Sequence, residues 1–355
     1  MRTLSLDLGR RSYSIHIGRG LEARFRDFLG PVRPAVALVD EHLPVCQAER
    51  LDAYLGEMPR LIVPRGEGSK TLAEVERLAR ALLELGLGRD GLLVAVGGGV
   101  TGDLGGFIAA SYFRGIPFIQ IPSTLLAQVD SSVGGKVAVN LPGAKNSLGF
   151  FHQPEAVFAD LGFLDTLDLR EKRAGMAELV KMAAIADAEL LDRLEAGMET
   201  LLDENGPDLE AAIYRACLLK AQVVEEDERE SGLREILNFG HTLGHAIEGA
   251  GADPPWIHGE AVALGMLYAL HLGGRTGLGN EAMADRMEAL LGRAGLPLRL
   301  PVELGPRRLI EIMGHDKKMR KGHPRWVLLE DWGKPRIGCR PKPGEVLAVL
   351  ESLSP

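Results

Sequence analysis

The first 165 or so residues alternate between short apolar runs and amphipathic stretches. Residues 12–17 alternate after the turn signal Gly9-Arg10, which predicts a half-buried strand. Residues 35–39, 61–63 and 92–96 are apolar throughout, the pattern of parallel strands covered on both faces. Between the last two, residues 71–85 place Leu72, Val75, Leu78, Ala79 and Leu82 on one helical face. Shorter apolar runs follow at 118–121, 137–139 and 156–159. Strand alternating with helix predicts an α/β layer domain with a mainly parallel sheet. From Leu169 the period lengthens, with amphipathic segments at 170–185, 189–202, 208–226, 236–249 and 259–272. Strand-like pieces return only at 326–329 and 336–339. The second half therefore reads as a helical domain, joined to the first near residues 160–170 with no flexible linker.

Composition narrows the function classes. Of 355 residues, 41 are Lys or Arg and 49 are Asp or Glu, a net charge of −8 that argues against a nucleic-acid partner. Aromatics at 5% disfavour a base-stacking surface. Cys46, Cys217 and Cys339 are odd in number and form no CxxC pair, so a reducing compartment is expected. The N-terminal residues lack the apolar stretch of a signal peptide. The longest uncharged run, 115–129, contains Pro117 and Pro122 and is too short for a bilayer. These signals predict a soluble cytoplasmic protein without a membrane partner.

The 44 glycines are most concentrated at Gly97 to Gly106, directly after the apolar run 92–96. A strand entering such a loop and then a helix lets backbone N–H groups approach phosphate oxygens. The segment satisfies GxGxxG, but residues 115–129 carry no carboxylate where a ribose partner is usual. Asp40 or Glu67, each following an apolar run, could serve instead. The plain alternative is a loop that is glycine-rich only to pack a helix against the sheet.

His241 and His245 sit four apart in HTLGH, so spacing alone places both rings on one helical face, and His258 follows before Glu260. Three histidines within eighteen positions raise a metal site against the ordinary reading of buried structural histidines. Thr242 stands where a zincin has its glutamate base, so protease chemistry is unsupported. Glu178 and Lys181, spaced i,i+3, read most simply as a surface ion pair worth about 0.3 kcal/mol. Lys220 and Arg234 are, by themselves, cations at helix edges.

The segment QIPSTLLAQVDSSVGGKVAVN at 120–140 resembles the signature of the 3-dehydroquinate synthase family. GGGVTGD at 97–103, KNSLGFFHQP at 145–154, AELVK at 177–181, DERESGLREILNFGHTLGHAIE at 227–248, HGEAVA at 258–263 and DKK at 316–318 agree in order. Ser123 and Val137 stand where the family usually has threonine. The resemblance implies a Rossmann-like NAD-binding α/β domain over 1–165 and a mainly α-helical metal- and substrate-binding domain over 166–355. It further implies an NAD+- and Zn2+- or Co2+-dependent lyase of the shikimate pathway. Such an enzyme turns 3-deoxy-D-arabino-heptulosonate 7-phosphate into 3-dehydroquinate and phosphate by transient oxidation, elimination, re-reduction and aldol closure.

By the same resemblance the metal ligands are Glu178, His241 and His258, with His245 facing the substrate. NAD+ contacts fall on Asp40, Glu67, Lys70, Gly98, Gly99, Asp103, Ser123, Thr124 and Lys145, with Thr166 nearby. Asp130 and Lys181 would hold substrate hydroxyls and handle protons, and Asn238 is a further contact. Lys136, Asn146 and His245 would hold the phosphate. Lys220, Arg234 and one of Lys317 and Lys318 would hold the carboxylate. Arg114 is implied to reach the phosphate bound by a neighbouring subunit, which implies a homodimer. The alternatives are a sibling sugar-phosphate cyclase acting on an uncarboxylated substrate, or a metal-dependent polyol or alcohol dehydrogenase.

Overall fold

A computed structural model describes residues 1–30, 33–251, 255–300, 303–314 and 325–354. Two compact units emerge: Met1–Asp168 with Asn205–Glu225, and Leu169–Glu204 with Glu226–Pro355.

The first unit is built on a seven-stranded sheet. Its strands are β1 (Arg2–Leu6), β2 (Tyr13–Gly18), β3 (Ala35–Asp40), β4 (Arg60–Val63), β5 (Leu92–Gly97), β6 (Phe118–Pro122) and, after the separate hairpin β7 (Lys136–Leu141) and β8 (Ala144–Phe151), β9 (Ala156–Asp160). The spatial order is β1-β2-β9-β6-β5-β3-β4, antiparallel only between β1 and β2. Apolar runs become central strands because both faces are covered. Along β3, Ala37 and Val39 join Phe25, Leu51 and Tyr54 on one side, while Val36 and Leu38 join Leu78, Leu104 and Ile108 on the other. The chain runs from β3 outward to β4 and then returns to β5 on the opposite side, so strand order reverses between β3 and β5. Ligands of open parallel sheets bind at the carboxyl ends of the strands flanking such a reversal.

Two expectations need correction. The run at 137–139 is no part of the main sheet: β7 pairs antiparallel with β8 in a hairpin of its own, which covers the helix Gly99–Ser111. The 236–249 segment is not one helix. A 3-10 turn, Leu233–Asn238, and the helix His241–Gly249 are separated at Gly240, whose φ of 78° leaves the helical region.

His16 on β2 is buried, with its ring 4.8 Å from that of Phe158 and its Nδ1 accepting from Arg24 Nε at 3.0 Å. Burial, helped by the Arg24 charge, lowers its pKa to about 4. The unfolded chain takes up this proton near its ordinary value of about 6.5, before the folded chain does. Stability carried by the neutral ring is therefore present above about pH 6.5 and lost as pH falls toward 4, by at most about 3 kcal/mol. Urea denaturation across this window should show a shallower loss for His16→Gln than for the wild type. Parallel curves would show that His16 carries none of the pH dependence.

The second unit is helical. Its main elements are Leu169–Ala186, Ala188–Asp203, His241–Gly249, His258–Thr276 and Glu281–Arg293, with a hairpin of β10 (Trp326–Asp331) and β11 (Lys334–Cys339). No described helix is long and apolar enough to cross a membrane.

Candidate functional site

In the first unit, Asp40 ends β3 and the glycine loop follows β5, one at each side of the reversal. The two readings of the loop divide along its length. Gly98 caps the helix Gly99–Ser111, and the helix N-terminus presents its N–H groups there. Farther along, a Cβ on Gly105 would stand 2.9 Å from that of Ala95, and one on Gly106 would overlap Val137. Those two glycines let the helix lie close on the sheet and hairpin. Ser123 is buried at the end of β6, its N–H donating to Gly97 O at 2.9 Å, and Thr124 Oγ1 accepts from Ala127 N at 3.2 Å.

A buried network lies beside the loop. Lys70, 3% exposed, donates to Asp103 at 2.7 Å and to Asn146 Oδ1 at 2.6 Å. Burial disfavours its charge, but the Asp103 and Glu67 carboxylates outweigh that and raise its pKa. Asn140 joins both sides: Nδ2 donates to Glu67 at 2.8 Å, and Oδ1 accepts from Asn146 N at 2.7 Å, holding Asn146 in a left-handed backbone with φ of 48°. Lys145 lies beside Asn146 on β8 and Lys136 opens β7. Lys220, on the helix Pro207–Glu226, donates to Asp130 Oδ1 at 2.7 Å and to Asp130 O at 2.6 Å. Thr166 Oγ1 accepts from Gln47 at 2.8 Å. Arg114 is exposed, in a turn where Phe113 (φ 50°) and Arg114 (φ 69°) are both left-handed.

In the second unit, one donor atom each from Glu178, His241 and His258 lies within 4.8 Å of the others. Glu178 Oε1 is 3.9 Å from His241 Nε2 and 3.3 Å from His258 Nε2. Two imidazoles and a carboxylate are a catalytic zinc or cobalt donor set, with further coordination positions left for other oxygens. Both rings are already oriented, because His241 Nδ1 lies 3.1 Å from Phe239 O and His258 Nδ1 lies 3.1 Å from Glu248 Oε2. An acceptor at Nδ1 leaves Nε2 as the lone-pair donor. Burial disfavours a charged His258, yet the Glu178 and Glu248 carboxylates raise its pKa to about 10.

Glu178 and Lys181 are not a surface pair. They are 0% and 1% exposed, with Lys181 Nζ 2.5 Å from Glu178 Oε2, so one carboxylate oxygen meets the lysine and the other faces the histidines. His245 is exposed, its ring 5.4 Å from that of His241 and 6.4 Å from that of His258, and it is not one of the three clustered donors. Arg234 is 1% exposed and donates to Glu228 O at 2.5 Å. Its loop is shaped by Asp227, which accepts from the backbone N–H groups of Ser231, Gly232 and Arg234. Burial works against the Asp227 charge, but those hydrogen bonds lower its pKa to about 2. Asn238 donates to Glu230 at 2.9 Å. Lys317 and Lys318 lie outside the described residues.

Family models described as 3-dehydroquinate synthase N-terminal and C-terminal match residues 60–174 and 175–319. The chain belongs to the dehydroquinate synthase-like sugar-phosphate cyclases. It is 30% identical to a solved 2-deoxy-scyllo-inosose synthase complexed with carbaglucose-6-phosphate, NAD+ and Co2+, with 99% of this chain and 100% of that one covered and a TM-score of 0.90. It is 29% identical to 2-epi-5-epi-valiolone synthase of Streptomyces hygroscopicus subsp. jinggangensis 5008, solved with NAD+ and Zn2+, with 96% of each chain covered and a TM-score of 0.88. A probable glycerol dehydrogenase of Sinorhizobium meliloti, at 18% identity and a TM-score of 0.66, shares the fold.

In this cyclase the residues that sequence reasoning missed are those that let helices touch. A Cβ on Gly265 would overlap the carbonyl oxygen of Gly240, and one on Gly259 would overlap Ala174. These contacts seat the helix His258–Thr276 against the chain entering His241 and against the helix that carries Glu178. Glycines at 240, 244, 259 and 265, all within the cyclase motifs or just beyond, were the available signal.

Proposed function

We propose that this cyclase is a 3-dehydroquinate synthase, acting on 3-deoxy-D-arabino-heptulosonate 7-phosphate with NAD+ and a divalent metal, Zn2+ or Co2+. The observation that carries the substrate choice is the burial of two cations, Lys220 at 5% and Arg234 at 1% exposure. Lys220 is already held by the Asp130 carboxylate at 2.7 Å, and a substrate carboxylate suits this cation and the buried Arg234, which can grip it through two parallel hydrogen bonds, better than an uncharged group does.

NAD+ would be held by the glycine loop with Asp40, Glu67, Lys70, Asp103, Ser123, Thr124, Lys145 and Thr166, and the metal by Glu178, His241 and His258. NAD+ supplies a reversible hydride acceptor, and the metal supplies Lewis-acid polarisation. Lys181 and Asp130 hold the reacting hydroxyls and move their protons, and Asn238 adds a contact. Lys136, Asn146 and His245, with Arg114 from a second copy in a homodimer, hold the phosphate. Lys220, Arg234 and Lys317 or Lys318 hold the carboxylate, the arginine in a forked grip. Anchoring both anionic ends fixes the carbons between them, where orientation contributes most to rate.

A sibling cyclisation of an uncarboxylated sugar phosphate is the second reading, favoured by the full-length similarity to an inosose synthase. Incubation with the heptulosonate phosphate, trace NAD+ and zinc separates the two. The expected result is stoichiometric phosphate release with no accumulation of NADH. Turnover confined to uncarboxylated sugar phosphates selects the sibling, and stoichiometric NADH would overturn both in favour of a dehydrogenase.

A further inference from the structure

Glu248 has no role among the metal or substrate residues above, yet its carboxylate lies 3.1 Å from Nδ1 of His258. We propose that Glu248 is the positioning residue for the metal ligand His258, accepting the Nδ1 proton and turning Nε2 toward the Glu178 carboxylate. This inference rests on the metal reading of Glu178, His241 and His258.

Three observations carry it. First, both ligand histidines are arranged alike, with Nε2 facing Glu178 and Nδ1 beside an acceptor, but the acceptors differ. His241 has the neutral backbone carbonyl of Phe239, fixed by the fold, whereas His258 has a carboxylate that only a side chain can supply. Second, His258, like His241, is the first residue of its helix, and of the two rings only that of His258 has an anionic acceptor at Nδ1. The positive end of a helix draws electron density from a ring placed there, and an anionic partner offsets this and strengthens the ring as a donor. Third, Glu248 occupies the last turn of the helix His241–Gly249, the end at which the helix dipole disfavours a carboxylate. A residue placed against the local dipole needs a compensating partner, and the ring of His258 provides one. The same short helix thus begins with one ligand and ends with the residue that orients another.

Metal-stripped wild type, Glu248→Ala, Glu248→Gln and Glu248→Asp proteins would be titrated with Zn2+ against a chromophoric chelator. Co2+ would be added in parallel to read its visible absorption bands. Outer-sphere partners of metal-bound histidines typically change affinity by about 10–100-fold. Glu248→Ala is therefore expected to bind Zn2+ about 10–100-fold more weakly and to shift the Co2+ bands. Glu248→Asp should recover part of the loss, and Glu248→Gln, which keeps the volume without the charge, should fall between. A residue that serves stability alone would lower the thermal midpoint of the metal-free protein while leaving Zn2+ affinity and the Co2+ spectrum unchanged. That result would overturn the inference, and Glu248→Gln supplies the same comparison if the alanine variant does not fold. A wild type that takes up no Zn2+ would overturn the metal reading together with it.

Discussion

Glu178→Gln should bring bound zinc from one ion per chain to none and reduce turnover by about a thousandfold or more, since Lewis-acid polarisation contributes several kcal/mol. The substitution keeps the volume and removes the charge of the carboxylate whose Oε1 faces both His241 and His258. It also leaves Lys181, at 1% exposure, without its carboxylate partner. Breaking a buried ion pair from one side costs about 3–5 kcal/mol, so the denaturation midpoint should fall as well. His258→Ala should likewise lose the metal. His245→Ala should retain it while losing turnover, because His245 contributes none of the three donor atoms that lie within 4.8 Å of one another. Metal analysis after dialysis, alongside urea denaturation, distinguishes these cases. A Glu178→Gln protein that keeps stoichiometric zinc would refute the ligand set.

The second large effect comes from a residue with no chemistry. Gly265→Ala would drive a methyl group into the carbonyl oxygen of Gly240, with the Gly240 carbonyl carbon 2.7 Å away. Both groups are backbone, so neither can rotate aside. Overpacking usually costs about 1–3 kcal/mol, and a backbone collision belongs at or above the top of that range. His241 is the next residue after Gly240, so weakened zinc binding should accompany the lost stability. Gly274→Ala on the same helix is the control: nothing lies within 4 Å of its added Cβ. There alanine should gain up to about 1 kcal/mol from helix propensity. Equal stability for the two variants would refute the packing argument.

Much of this architecture was legible in the sequence, and the failures have physical causes. The apolar runs at β3 and β5 announced themselves because strands covered on both faces cannot alternate. The run at 137–139 marked β7, but its partner β8 did not show, since β8 is largely exposed and its polar residues look like loop. Spacing could state that Glu178 and Lys181 share a helical face, but burial is decided by helices distant in sequence, so an unexposed pair read as a surface one. Spacing also favoured His241 with His245, as i,i+4 residues on a helix do lie together. The cluster forms instead between the first residues of two different helices, His241 and His258, and a site assembled across helix starts leaves no short-range period. The order of the family motifs carried what periodicity could not.

The chain crosses between its two units at residues 168–169, 204–205 and 225–226. No single cut can therefore release either unit as an intact piece. A fragment ending at residue 168 lacks the whole helix Pro207–Glu226, Lys220 included, although it holds every strand of the seven-stranded sheet. During synthesis the first unit must wait for about sixty further residues before its last helix is available, and 36 of those belong to the other unit. Complementation by separately expressed halves would have to respect that interleaving.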